Sequence, residues 1–254
     1  MLTDKLFQTY SFTFSGRWED WFALLLVAAL LVLIIQLYQA KQQSSTADVA
    51  ASGATTYSSK LAWLRGGIYF CVCFLLSWAT GVLKTITRSP LATSEQLGNG
   101  WWWLATAVCL IVILVAYAVI WPKGTLTHGR PLDLTAVIPF GLLWGLSEGQ
   151  LFLSIWALVE RLPLATVWVA IISFIIISGF KGAWHSQYWD IYVSPEHNIE
   201  EWNGRKVLFC HVPNLIITLS FLAFFGNAAL FVVWQTIGLL SSTYFMHFPS
   251  PQQL

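Results

Sequence analysis

The run VLFCHVPNLIITLSFLAFFGNAALFVVWQTIGLLSSTYFM, residues 207–246, decides the fold of this chain. It is almost wholly apolar. As one continuous helix of about 40 residues it would be about 60 Å long, twice the thickness of a bilayer core. The run must therefore fold back on itself. Gly226-Asn227 has the residue types of a tight turn, so the sequence predicts two successive membrane spans joined at this dipeptide.

The composition of the whole chain agrees with a membrane location. Apolar residues make up 57% of the chain, charged residues make up 10%, and the mean hydropathy is +0.65. A soluble domain has about 25% charged residues, so this chain could not cover a water-facing surface. Tryptophan, with 15 residues, favours the interface between membrane and water. The net charge of +1 provides no basic surface for nucleic acid, and the predicted partner is the lipid bilayer.

Five earlier apolar runs join the final pair. Together they predict an all-α bundle of seven transmembrane helices, or six if part of the last run is re-entrant. The earlier runs are residues 21–38, 63–83, 101–121, 134–159 and 164–180. The whole chain, residues 1–254, is predicted to form a single membrane domain. Residues 41–60, which are rich in Ser, Thr, Ala and Gln, are predicted to form a flexible loop.

Lysine and arginine near the span ends divide unequally between the two sides of the membrane. In the seven-span arrangement, eight of the 13 basic residues lie on the side of the C-terminus. Because positive charge favours the inside, this predicts an outside N-terminus and a cytoplasmic C-terminus. The same arrangement places all five histidines on the cytoplasmic side. They are His128, His185, His197, His211 and His247.

The most polar stretch of the chain is FKGAWHSQYWDIYVSPEHNIEEWNGRKVLFCHVPN, residues 180–214. Helices in bundles are commonly joined by about 2 to 8 residues, so residues 181–206 are longer than a link requires. They also carry several large aromatic rings. We therefore predict an ordered polar lid that packs onto the bundle. Within it, Ser194 and Gly204 are suited to the start and the end of a short interfacial helix.

Glu148 is the ionisable residue that lies deepest in a predicted span. A charge at the bilayer centre costs roughly 2.5 to 3.5 kcal/mol on insertion scales, so such residues face the bundle interior or a water-filled cavity. Glu148 is therefore a candidate buried acid or base. The alternative is a protonated carboxyl that hydrogen-bonds a neighbouring helix. Gly145, Ser147 and Gly149 spell the G-x-S-x-G motif of hydrolases, but they lie in a helical run, which favours a face of small packing residues.

The polar stretch and Glu148 together predict one candidate site. Its residues are Glu148, His185, Asp190, His197, His211 and Asn214. Nitrogen and carboxylate ligands suit zinc or non-haem iron, and two histidines can hold a haem. No histidine-box or H-E-x-x-H spacing is present, so metal and cofactor stay open.

Two hypotheses for the function follow. The first is an integral membrane enzyme that acts on a lipid or isoprenoid-like substrate, with Glu148 as the buried acid and the histidines and carboxylates near the interface. The second is a non-enzymatic membrane protein, either a small transporter or a subunit of a membrane complex, in which Glu148 is a proton or ion site. The sequence does not set the oligomeric state.

Overall fold

The structure, a computed structural model, describes Trp18, Trp21 and Leu25 and residues 59–123, 125, 130–162, 164–187 and 205–250. The side chains of residues 61, 62 and 182–187 are outside this description. Apart from Trp21 and Leu25, the predicted first span lies outside the described residues, and so does nearly all of the loop 41–60. Every regular element within the described part is a helix, as predicted.

The helices follow one another with short connections. We number them in chain order: α1 Ser59–Ala79, α2 Val82–Arg88, α3 Ser94–Leu97, α4 Gly100–Ile120, α5 Leu134–Glu160, α6 Thr166–Gln187, α7 Val207–Phe225 and α8 Ala228–Phe245. Two of them contain wider π-helical turns, Val115–Ile120 at the end of α4 and Val207–His211 at the start of α7.

Four helices, α4, α5, α7 and α8, are long and apolar enough to cross a bilayer. This indicates an integral membrane protein with several passes. Among the described residues the number of candidate spans is four, or five if α1 and α2 together count as one. Seven were predicted. The difference has physical reasons in two places: an 86° bend separates α1 from α2, and the apolar part of α6 ends at Lys181, which leaves it short.

The bend between α1 and α2 lies inside the predicted second span. Gly81, with φ 78°, adopts the left-handed conformation there, which glycine enters without a steric penalty. The predicted turn at Gly226-Asn227 is confirmed. Gly226 has φ 72° and ends α7, and α8 begins at Ala228. Asn227 ties this turn to α3 and to the first turn of α4, since its Oδ1 accepts from Trp102 Nε1 at 3.2 Å and its Nδ2 donates to Gln96 Oε1 at 2.8 Å.

Helix α5 is the centre of the bundle. Of its 18 most apolar consecutive residues 72% are buried, against 22% of the corresponding residues in α4. Its glycines face α8 at backbone distance: a Cβ on Gly145 would lie 2.3 Å from Thr236 Cα, and one on Gly149 would lie 3.0 Å from Val232 Cα. The predicted face of small packing residues is therefore present. Ser147 Oγ donates to the Leu143 carbonyl within the helix, which is unlike the sharp turn of a hydrolase nucleophile.

Candidate functional site

A buried ion pair lies at the centre of the candidate site. The carboxylate of Glu148 on α5 is 2.9 Å from the ammonium of Lys181 on α6, and the two side chains are 7% and 2% exposed. The prediction that Glu148 faces the bundle interior is thus correct. Lys181 was not among the predicted site residues, because its position at the end of an apolar run is that of an ordinary interfacial charge.

His211 connects this ion pair to α4. Its Nδ1 lies 3.0 Å from Lys181 Nζ and 2.8 Å from Tyr117 Oη. A ring nitrogen of histidine offers either one lone pair or one proton. Lys181 and Tyr117 therefore compete for a hydrogen bond to the same nitrogen. The protons of the cluster can accordingly be arranged in more than one way while the heavy atoms stay nearly in place. Such an arrangement can accept a proton at one end and release one at the other.

The polar contacts extend from Tyr117 across the bundle. Asn214 Nδ2 lies 3.2 Å from both Tyr117 Oη and Gln235 Oε1, and it donates to these two oxygens. Gln235 Nε2 in turn donates to Thr218 Oγ1 at 3.5 Å. Asn214 and Gln235 are buried. A line of hydrogen-bonding side chains therefore runs from Glu148 to Thr218 and joins α4, α5, α6, α7 and α8.

The two π-helical turns belong to this site. Tyr117 lies in the π-helical end of α4, and His211 closes the π-helical start of α7. Wider turns of this kind change the direction in which side chains leave the helix, and they occur often at functional sites. Gly238 on α8 gives Tyr117 the room it needs, because a Cβ there would lie 3.0 Å from the edge of the ring.

A small cavity adjoins the ion pair. The space open to the centre of a water molecule is about 10 Å³, which is room for about one water. Glu148 and His211 face it, and Ser242 and Thr243 add hydroxyl groups to its wall. The remaining wall is aromatic or aliphatic: Tyr117, Trp121, Trp144, Leu239, Met246 and Phe248.

Three of the six predicted site residues, Glu148, His211 and Asn214, meet in this cluster. Asp190 and His197 lie outside the described residues, and so does His128. His185 lies on α6, one turn beyond Lys181, with its side chain outside the description.

The predicted lid, residues 181–206, is described only at its two ends. Residues 181–187 continue α6 as helix, and Arg205 and Lys206 begin the helix that leads into α7. The lid therefore starts as helix instead of loop. The interfacial helix predicted between Ser194 and Gly204 lies outside the described residues.

Lys206, just before the α7 span, is a second buried lysine of this region. Its side chain is 1% exposed and its Nζ lies 5.2 Å from the centre of the Trp121 ring. Burial lowers the pKa of Lys206 from 10.5 to about 7, and the nearby Cys210 acts weakly in the opposite direction. Trp121 also packs against His211, with ring centres 4.6 Å apart, so Lys206 borders the candidate site.

The described residues contain no group of three or more His, Cys, Asp and Glu side chains that could hold a metal ion. Lys181 also occupies the position between Glu148 and His211, where a metal joining carboxylate and imidazole would have to bind. Zinc, iron or haem, which the sequence left open, therefore has no support among the described residues of this cluster.

Comparison with known proteins gives no relatives from which a function could be transferred. The chain matches no protein-family model, no curated protein and no solved structure.

Proposed function

We propose that this protein is a seven-span membrane enzyme that performs acid–base chemistry on a lipid or isoprenoid-like substrate. The observation that carries the proposal is the meeting of Glu148, Lys181 and His211 inside the bundle, next to a cavity with apolar and aromatic walls. Ionisable groups are costly at membrane depth and mark functional sites there. General acid–base catalysis needs groups that can exchange protons within hydrogen-bond reach.

Each residue of the cluster has a role in this proposal. Glu148 faces the cavity and exchanges a proton with the substrate. Lys181 compensates the charge of Glu148 and passes a proton to or from His211 Nδ1. Tyr117 and Asn214 are positioning residues, because Tyr117 hydrogen-bonds the His211 ring and Asn214 in turn holds the Tyr117 hydroxyl. A substrate with a large apolar part would be held by the walls of the cavity once the cavity widens.

The other predicted residues and the topology belong to the same proposal. His185, Asp190 and His197 stay candidates for proton transfer at the membrane surface, from the lid over the site. Seven spans would consist of the four long helices, the bent pair α1–α2, the helix α6 and residues 21–38. The N-terminus would then lie outside and the C-terminus in the cytoplasm, as the distribution of basic residues indicates.

One observation favours a second function. The cavity next to Glu148 and His211 holds about one water, which is enough for a proton but too small for a lipid. A connected line of proton-exchanging groups inside a membrane bundle also suits proton movement without a substrate, in a transporter or in a subunit of a membrane complex. The two functions differ in whether the cavity opens to admit a substrate.

The test compares membranes that contain the wild-type protein with membranes that contain Glu148→Gln. The variant keeps the size of the side chain and removes its proton exchange. The gene is deleted in its native host, and the strain is complemented with wild type, Glu148→Gln or the control Glu160→Gln. Glu160 lies on the same helix and is also buried, but it is twelve residues further along, which is about 18 Å in a helix.

We expect one apolar lipid or isoprenoid pool to change on deletion, to recover with wild type and Glu160→Gln, and not to recover with Glu148→Gln. Identical pools in all strains would overturn the enzymatic proposal. In that case, proton uptake into liposomes, followed with an enclosed pH-sensitive dye, decides the second function. Uptake that is lost in Glu148→Gln would support it.

A further inference from the structure

The chain after α8 forms one wall of the cavity. Met246 and Phe248 both line the cavity and are 2% and 1% exposed. The Phe248 ring stacks on Phe140 of α5, with ring centres 4.1 Å apart and an angle of 15° between the planes. An aromatic ring from a non-helical segment therefore fills the space beside the Glu148–His211 site. We name residues 246–250 the C-terminal strap.

The C-terminal strap is held to α1 by two hydrogen bonds. Ser59 Oγ donates to the Ser250 carbonyl at 2.7 Å, and Trp63 Nε1 donates to the Pro249 carbonyl at 3.3 Å. The backbone N–H of Phe248 donates to the Thr243 carbonyl at 3.1 Å. The Phe248 ring is therefore positioned by the backbone bond of its own residue to α8, by the two bonds to α1 that follow it and by its stacking on Phe140.

His247, in the middle of the C-terminal strap, has φ 54°. The left-handed conformation is unfavourable for a residue with a side chain. It is maintained only where the surroundings enforce it, and such residues cluster at ligand clamps and switch regions. Here it lies in the turn that follows α8, and the neighbours on both sides of His247 line the cavity. The Nδ1 atom of its ring contacts the Arg130 carbonyl.

The helical walls of the cavity have less freedom to move than the strap. Gly145 on α5 and Thr236 on α8 are so close that a Cβ on the glycine would lie 2.3 Å from the Thr236 Cα. Thr243 Oγ1 also reaches the Val137 carbonyl at 3.3 Å, which joins the same two helices near the cavity. The strap is buried as well, but Phe248, Pro249 and Ser250 belong to no helix, and a segment without the continuous backbone bonds of a helix opens at lower free-energy cost than packed helices. The cavity can therefore widen most readily by displacement of the C-terminal strap.

We propose that Phe248 is the residue that limits the size of the molecule admitted to the Glu148–His211 site, and that displacement of the C-terminal strap admits an apolar chain or ring. The Phe248 ring, which stacks on Phe140, occupies the place that a flat, unsaturated part of such a molecule would take. The assignment of a substrate rests on the proposed enzymatic function. The movement of the strap does not, and it can be measured without a substrate.

The experiment measures access to the cavity. The four cysteines of the chain are replaced, and Ser242→Cys, whose side chain lines the cavity, serves as the reporter. The full-length protein in detergent is treated with a small and with a bulky methanethiosulfonate reagent. The rates are compared in the parent, in Phe248→Ala, in Ser59→Ala and in the control Ser77→Ala. Ser59 and Ser77 are both buried on α1, but Ser77 hydrogen-bonds Gln150 and not the strap.

We expect the small reagent to react slowly with the parent and about tenfold or more faster with Phe248→Ala and Ser59→Ala, because both substitutions favour the open strap. The bulky reagent should gain most in Phe248→Ala, and Ser77→Ala should react like the parent. Rates that are unchanged in both strap variants would overturn the proposal. If Phe248→Ala fails to fold, Ser59→Ala decides alone, since it creates only a small vacancy. A negative lipid comparison would leave this result unaffected.

Discussion

Glu148 and Lys181 form an ion pair of 2.9 Å between two helices, with almost no exposure of either side chain. Taking two such charges out of water costs several kcal/mol for each ion, and their mutual attraction offsets this cost only while both are present. The ion pair therefore adds little to the net stability of the fold, but it couples the two residues strongly. Each partner makes the other tolerable inside the bundle.

The first prediction uses this coupling. Lys181→Met should lower the free energy of unfolding by about 3–5 kcal/mol, because it leaves an uncompensated buried carboxylate. The double variant Glu148→Gln/Lys181→Met should recover a large part of that loss. Chemical unfolding of the purified protein in detergent, monitored by tryptophan fluorescence, measures both. A double variant as unstable as the sum of the two single variants would show that the groups are independent.

A second prediction concerns the contact between α5 and α8. Gly145→Ala places a methyl group where Thr236 Cα lies 2.3 Å away, so the helices must separate, and we expect a protein that unfolds far more readily or does not accumulate. Gly179→Ala on α6 is the matched control, since nothing lies within 4 Å of its Cβ position. In a helix, the change from glycine to alanine there should stabilise by about 1 kcal/mol. Equal stability of the two variants would contradict the observed packing.

The third prediction is a pH dependence that originates at Lys206. Its pKa is about 7 in the folded protein, against an ordinary value of 10.5. Between these two pH values the unfolded chain holds a proton that the folded chain has released, so stability should rise as the pH is increased from 7 towards 10. Lys206→Met should flatten this part of the curve of melting temperature against pH. Parallel curves for wild type and variant would refute the lowered pKa.

The fourth prediction tests the seven-span topology. Single cysteines at positions 128 and 197, in a chain otherwise free of cysteine, should react with an impermeant reagent from the same side of the membrane. The reason is that two spans separate the two positions in this arrangement. The control is a cysteine at position 95, in the short helix α3 between α2 and α4, which should react from the opposite side. Reaction of positions 128 and 197 from opposite sides would exclude the arrangement.

The sequence predicts the long helices and the turn at Gly226-Asn227 because both depend on local properties, apolar length and turn chemistry. It also predicts that Glu148 faces inward, because a charge in an apolar run has few other places to lie. The bend at Gly81 is missed, since one glycine in an apolar run is a weak signal. Lys181 and Tyr117 are missed for a different reason: each is ordinary in its own segment, and only the packing of the helices against one another brings them near Glu148.

The close approach of the α5 and α8 backbones at Gly145 and Thr236, where glycine has no side chain to separate them, has a mechanical consequence. We expect helices α5 and α8 to move as one body, and that body carries Glu148 and half of the residues that line the cavity. Lys181 and His211 belong to α6 and α7, outside this body. We therefore expect a rearrangement of the helices at the ion pair to displace α6 or α7 relative to the α5–α8 unit. The Glu148–Lys181 distance would be the first to change in such a displacement, so the length of the ion pair depends directly on the arrangement of the helices.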